Sequence, residues 1–208
     1  MIIRSPNTRG HLKSDWIESR RTFSNNSYWD PKYMNFGPIQ VINDDILQPG
    51  YMVPKHEHKN MEILGYMVDG QLEHWDSEGN LNIATVGQIQ HMSCGESIWH
   101  TEKCISNTPA RYLQIWISPT KSNTYPFYEI ITKSLDFGPV LIGNQETIIN
   151  AGIIQQHYKV EVSGKAYLYV VSGNISNNDI QLSEGFGMEL ESEFFEANFE
   201  SHIILIEF

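Results

Sequence analysis

The sequence predicts an all-β protein, a sandwich or barrel with signs of an internally duplicated barrel unit, and three observations carry that prediction. Its apolar segments are short, strand-length and rich in β-branched and aromatic residues. Fifteen glycines, nine prolines and many Asn and Ser break the chain between them, and helical periodicity is weak throughout. The two halves also share a strand, glycine, strand shape, Val68-Asp69-Gly70-Gln71-Leu72-Glu73 in one and Val171-Ser172-Gly173-Asn174-Ile175-Ser176 in the other. A second glycine turn follows in each, at Val86-Gly87-Gln88 and at Glu184-Gly185-Phe186-Gly187, as an internal duplication would place it.

Taken in order, Ile39-Gln40-Val41-Ile42, Ile63-Leu64-Gly65-Tyr66-Met67-Val68 and Tyr112-Leu113-Gln114-Ile115-Trp116-Ile117 read as strands of the first domain. Ala166-Tyr167-Leu168-Tyr169-Val170-Val171 and Ile203-Ile204-Leu205-Ile206 read as strands of the second. Asp76-Ser77-Glu78-Gly79-Asn80 has the composition of a hairpin turn. Tyr125-Pro126-Phe127-Tyr128-Glu129-Ile130-Ile131 is expected to hold a short helix. The polar, proline-bounded stretch from Pro119 to Pro126 marks the division, giving domains of residues 1–124 and 125–208.

The 208 residues carry 14 Lys+Arg against 25 Asp+Glu, a formal charge of −11. That balance argues against binding a phosphate backbone and against docking on an anionic membrane. No apolar run approaches the roughly 20 residues a bilayer span needs, and Met1-Ile2-Ile3-Arg4-Ser5-Pro6-Asn7 lacks the apolar stretch of an export signal. The two cysteines, Cys94 and Cys104, fit a reducing compartment. The expectation is a soluble cytoplasmic protein.

Six of the eight histidines precede the expected division, so chemistry is expected in the first domain. His56-Glu57-His58 is the most informative triplet. On a strand, residues i and i+2 face the same side, so both imidazoles point together. Glu62 follows on the same face if the strand continues, and His100-Thr101-Glu102 repeats the i, i+2 arrangement with an imidazole and a carboxylate. Two such strands can close three nitrogens and one carboxylate around a divalent metal. Imidazole suits iron, nickel, copper and zinc, and an added carboxylate leans towards non-haem iron or manganese. Against this, a single His-x-His in a chain with eight histidines is unremarkable.

From Gly50 through His56-Glu57-His58 and Glu62 to Gly70, the chain resembles the first cupin motif: glycine, five residues, His-x-His, Glu, then glycine. More specifically it is similar to the pirins, above all the bacterial pirin-like quercetinases. The matching stretches include Arg21-Thr22-Phe23-Ser24, Asn60-Met61-Glu62-Ile63-Leu64, Leu72-Glu73-His74-Trp75-Asp76-Ser77, Gly87-Gln88-Ile89-Gln90-His91-Met92 and Leu113-Gln114-Ile115-Trp116-Ile117. They run in family order from about residue 8 to residue 128.

The resemblance implies a bicupin of two jelly-roll-like barrels with one metal in the N-terminal barrel, held by His56, His58, His100 and Glu102. Iron(II) is the ion it assigns, with manganese, nickel, cobalt, copper or zinc as alternatives. It also implies a small aromatic, flavonol-like substrate such as quercetin, cleaved by dioxygen with loss of carbon monoxide. Glu102 is the preferred general base as well as a ligand; Glu62 competes for both roles and is otherwise expected to orient a ligand. The alternative implied function is a metal- or redox-sensing protein that binds a transcriptional or metabolic partner without turnover. Where the family has proline between the first two histidines, this chain has Glu57, and the usual His-Ser-Glu is His100-Thr101-Glu102. Neither departure removes a ligand.

Other residues have plainer readings. His74 and His91 are candidates for orienting a ligand, though ordinary strand hydrogen bonds are the commoner role, and Cys94 is expected to be a small half-buried thiol. Trp99, Trp116, Tyr66 and Phe36 are candidates for lining an aromatic pocket, though core packing is the commoner role. His157 and His202 lack partners at ligand spacing, so the second domain is expected to be metal-free. Asp44-Asp45 reads as a turn and Glu193-Phe194-Phe195-Glu196 as a solvated strand edge.

Overall fold

The computed structural model describes residues 2–140, 142, 146–177 and 179–208. Among these there is no α-helix, hence none long and apolar enough to cross a membrane. The chain divides into two compact units: Gly10–Lys133, and Ser134–Phe208 together with Met1–Arg9. A division after residue 124 would cut the first of these.

The strands in chain order are β1 (Ile3–Arg4), β2 (Gly10–Lys13), β3 (Ile17–Arg21), β4 (Ile39–Leu47), β5 (Met52–His58), β6 (Glu62–Asp69) and β7 (Gln71–Asp76). Then come β8 (Leu81–Thr85), β9 (Gln88–Ser93), β10 (Ile98–Cys104), β11 (Ala110–Ile117) and β12 (Phe127–Thr132). The second unit adds β13 (Gly138–Val140), β14 (Ile148–Ile154), β15 (Lys159–Glu161), β16 (Lys165–Ser172) and β17 (Asn174–Ser176). It ends with β18 (Gln181–Ser183), β19 (Gly187–Glu191), β20 (Phe194–Ala197) and β21 (Ser201–Glu207).

Each unit is a barrel of two antiparallel sheets. The first orders its strands β12-β9-β6-β11-β4-β3-β2 and β5-β10-β7-β8; the second, β1-β19-β16-β21-β14-β13 and β15-β20-β17-β18. Adding ten to the label of each strand from β3 to β11 converts one order into the other, so the duplication suggested by the glycine turns is present in the topology. Gly70 and Gly173 both take positive φ, +72° and +90°. A Cβ at either would stand 2.7 Å from backbone, Ala110 Cα or Ser201 Cα, which explains glycine at both turns.

The edge strand is where the barrels part. Beside β9 lies β12, the last strand of its unit; beside β19 lies β1, from the start of the chain. The segment expected to be helical is therefore β12, paired with β9 from Phe127↔Ser93 to Thr132↔Gln88. Aromatic and β-branched residues there favour a pleated surface, and an open sheet edge rewards extension with a ladder of hydrogen bonds. Asp76-Ser77-Glu78-Gly79-Asn80 is the turn between β7 and β8, with the Asp76 carboxylate accepting from the backbone N–H of Glu78 and of Asn80.

The interiors differ in kind. The second barrel is filled by an apolar cluster that includes Leu168, Val170, Leu182, Met188, Phe195 and Ile203. The first has an apolar zone built on Leu47, Met67, Leu72 and Tyr112 and a smaller one on Ile63, Met92, Cys94 and Ile98, and it also buries His74, Gln90, His100 and Glu102. Register makes the contrast specific. Glu102 stands opposite Val53, where the second barrel sets Phe195 opposite Val160.

Candidate metal centre

His56 and His58 lie on β5 and His100 and Glu102 on β10, with His100 opposite His56. The register shifts between His100 and Glu102, which stands opposite Val53. Two steps on β10 thus span three on β5, a bulge at Pro54-Lys55. Pro is tolerated because β5 is a sheet edge. The bulge lets Val53 pack on the apolar core while His56, three residues on, also turns inward. It also brings the Pro54 carbonyl 2.8 Å from His56 Nδ1. A carbonyl only accepts, so Nδ1 carries the proton and Nε2 the lone pair.

Three rings converge: centroid separations are 4.7 Å for His56–His58, 4.4 Å for His56–His100 and 5.1 Å for His58–His100. His56 and His100 bring their Nε2 atoms to 3.1 Å, and His58 Nε2 is buried without a hydrogen-bond partner. Burial, and then the neighbouring imidazoles, push His58 down to about 4 and His100 to about 2. Both rings are therefore neutral at neutral pH with lone pairs to give. Ligand atoms of the three lie within 4.8 Å of one another, and an orphaned imidazole nitrogen facing two others fits a divalent cation.

Glu102 belongs to an overlapping group, with His74 and His100, so the four residues named from the sequence occupy two clusters joined at His100. Burial, and secondarily the charge of Asp45, raise Glu102 to about 7. A chain of donors along β11 ends on it: Trp116 Nε1 to Gln114 Oε1, Gln114 Nε2 to the Tyr112 hydroxyl, and that hydroxyl to Glu102 Oε2 at 3.4 Å. Trp116 also packs its edge on His58, centroids 4.8 Å apart.

His74, for which the sequence favours an ordinary strand role, lies in the cluster with His100 and Glu102. Its Nε2 donates to Asp76 Oδ2 at 3.0 Å, and both side chains are essentially inaccessible. His74-Trp75-Asp76 shows the same i, i+2 polar pairing as His100-Thr101-Glu102, and that was the available signal. Burial lowers its pKa, against the opposing hydrogen bond to Asp76.

Glu62 stands apart from the cluster. Ile63 and Gly65 line the cavity beside His100, so alternation along β6 turns Glu62 to the other face. There it accepts from His91 Nε2 and from the Ser93 hydroxyl, both at 2.9 Å, while His91 Nδ1 bonds Glu129. Burial opposes charge on His91, but its two carboxylate partners outweigh it and hold the pKa above the ordinary value. Glu62 is thus neither beside the histidines nor free to act as base there. Cys94 is buried and its thiol pushed up to about 12, which removes thiolate chemistry. Trp99 points outward, with Lys55 Nζ above its ring. Asp44 and Asp45 form strand β4 rather than a turn.

Fold and site define the class: a two-barrel cupin with a histidine-rich centre in its first barrel. The chain belongs to the pirin family, whose sequence profile matches residues 3–117. The quercetin 2,3-dioxygenase of Escherichia coli strain K12 is 30% identical over 226 residues, taking in 100% of this chain and 98% of its own. The crystal structure of the bacterial pirin YhhW from Escherichia coli in complex with nickel(II) matches with a TM-score of 0.92 at 30% identity, covering 99% of this chain and 97% of that one. A pirin-like protein of Caulobacter vibrioides is 39% identical over 120 residues, 57% of this chain and 52% of its own.

Proposed function

We propose that the protein is a pirin-type dioxygenase that uses one divalent metal in its first barrel to cleave flavonols such as quercetin with dioxygen, releasing carbon monoxide. The observation that carries this reading is the convergence of His56, His58 and His100 on an unpartnered nitrogen, beside a buried carboxylate. The nickel-bound pirin and the relatives named quercetin 2,3-dioxygenase support it.

His56, His58, His100 and Glu102 would hold the ion, with iron(II) preferred and manganese, nickel, cobalt, copper or zinc as alternatives. When bound, such a metal supplies Lewis acidity and, for iron or manganese, redox access to dioxygen. The protein's own groups handle the proton and the walls. Glu102, buried beside His100, would accept the proton of the substrate's 3-hydroxyl as general base. Ile63, Met92 and Tyr128 line the cavity and give it apolar walls.

The test is aerobic quercetin consumption with carbon monoxide detection, using protein loaded in turn with iron, manganese, nickel, cobalt and copper. Metal-dependent turnover that disappears in His56→Ala is expected. No turnover with any metal, in protein holding one equivalent, would overturn the reading. That result would favour the metal-responsive binding protein, for which the exposed Trp75 and Trp99 on the outer face of the β5-β10-β7-β8 sheet are the supporting observation.

A further inference from the structure

Behind the histidines, one polar group has no part in the chemistry above. Gln90 on β9 is 3% exposed, and its Oε1 accepts from the Tyr128 hydroxyl at 3.0 Å. Its Nε2 is buried with no hydrogen-bond partner, a condition native proteins seldom leave without a use. With Oε1 accepting from the tyrosine hydroxyl, the amide N–H groups are what is left facing the cavity.

The surroundings set this donor at the wall of the cavity. Gly65 stands opposite Gln90 in the β6–β9 register, and a Cβ there would lie 3.4 Å from Nε2. Gly65 and Gln90 line the same cavity as His100, Glu102 and Tyr128. In the second barrel the pair that corresponds by register is Leu168 opposite Met188, both fully buried. The amide over an open glycine is therefore a property of the barrel that holds the histidines.

Size limits what can enter. The cavity has about 190 Å³ of empty space, counting the part continuous with solvent. The enclosed part is far smaller, with room for an oxygen-bearing group and not for a ring system.

We propose that Gln90 is a substrate-positioning residue: its Nε2–H donates to a carbonyl or hydroxyl oxygen on the aromatic edge that enters beside Glu102 and His100. The inference rests on the function proposed above in taking the substrate to be an oxygenated aromatic, and it does not require that quercetin be turned over.

The test is anaerobic titration of nickel-loaded protein with quercetin and with catechol, in wild type, Gln90→Met and Gln90→Glu. Gln90→Met removes the donor outright; Gln90→Glu keeps an acceptor for Tyr128 and lacks the donor when ionised, so its titration is run at about pH 8. Each should bind roughly five- to tenfold more weakly, the loss of one hydrogen bond. Bound nickel and the urea midpoint should stay unchanged in at least one of them. In aerobic assays KM should rise by more than kcat falls. Wild-type affinity in a folded variant overturns the assignment, and so does failure of both probes to bind the wild type. Binding that weakens as expected, in a protein that never consumes quercetin, upholds the assignment while defeating the proposed activity.

Discussion

The imidazole of His74 lies flat on the ring of Tyr128, centroids 3.9 Å apart and planes 8° from parallel. His74 is on β7 in one sheet and Tyr128 on β12 in the other, so this stack ties the two walls of the first barrel together at the cavity. The same tyrosine anchors Gln90 through its hydroxyl. β12 is thus a structural part of the site.

Loss of a converging imidazole should remove metal and leave the fold. His56→Ala and His100→Ala are each expected to weaken metal binding by at least about a hundredfold, more than the 10–100-fold typical of losing a supporting partner. Metal analysis after dialysis reads the effect, with circular dichroism as the check on folding. Full metal retention in both variants would end the assignment.

Asp76→Ala removes the acceptor for His74 Nε2 and for the N–H groups of Glu78 and Asn80 at once. Of these, only the imidazole is buried; at about 1–3 kcal/mol for that group left unpaired, with the turn amides able to meet water, a loss of roughly 2 kcal/mol is expected, read as a lower urea midpoint with an unchanged slope. A shift worth less than about 0.5 kcal/mol would contradict this account of the turn.

Asp45 gives the clearest pH signature. Burial raises it from 3.8 to about 7, with the neighbouring charge of Asp44 adding to the rise. A carboxyl whose folded pKa lies above its unfolded value destabilises the fold once ionised. Its cost is absent below about pH 4, grows between about 4 and 7, and is constant above. Asp45→Asn should therefore match wild type near pH 4 and exceed it by a few kcal/mol at pH 8. Denaturant melts at both pH values check this, and an advantage independent of pH would refute it.

Removing residues 2–9 should weaken the second barrel and spare the first. β1 pairs with β19, Arg4 is 2% exposed, and Arg9 donates to the Gly185 carbonyl and the Tyr169 hydroxyl. Hydrogen exchange should accelerate at Gly187 and Met188 while the amides of β6 and β11 keep their protection. Uniform acceleration across both units would show that the segment stabilises more than its own barrel.

Much of this was legible in the sequence, and the rest was hidden for identifiable reasons. His56, His58 and His100 could be read because strand alternation puts i and i+2 on one face. Glu62 misled because the match to spacing assumed a continuing strand, whereas β5 ends at His58 and β6 begins at Glu62 in the other sheet. β12 was misread because its extended form depends on the edge of β9, a partner far away in sequence. His74 was given the commoner strand role because its part in the site depends on Asp76 and on a ring from β12. The Pro54-Lys55 bulge left no signal beyond the proline itself.

The exchange of edge strands bears on how the protein comes off the ribosome. The first barrel draws every strand from one continuous stretch and can close as soon as β12 emerges. The second cannot, because Ile3 must wait for Met188. Its earliest-made strand stays unpaired through almost all of synthesis, a large loop-closure cost is met last, and the growing chain carries a free β1 past a finished neighbour. Slowing or stalling translation beyond residue 133 should therefore lengthen the time for which that strand is open to aggregation or protease.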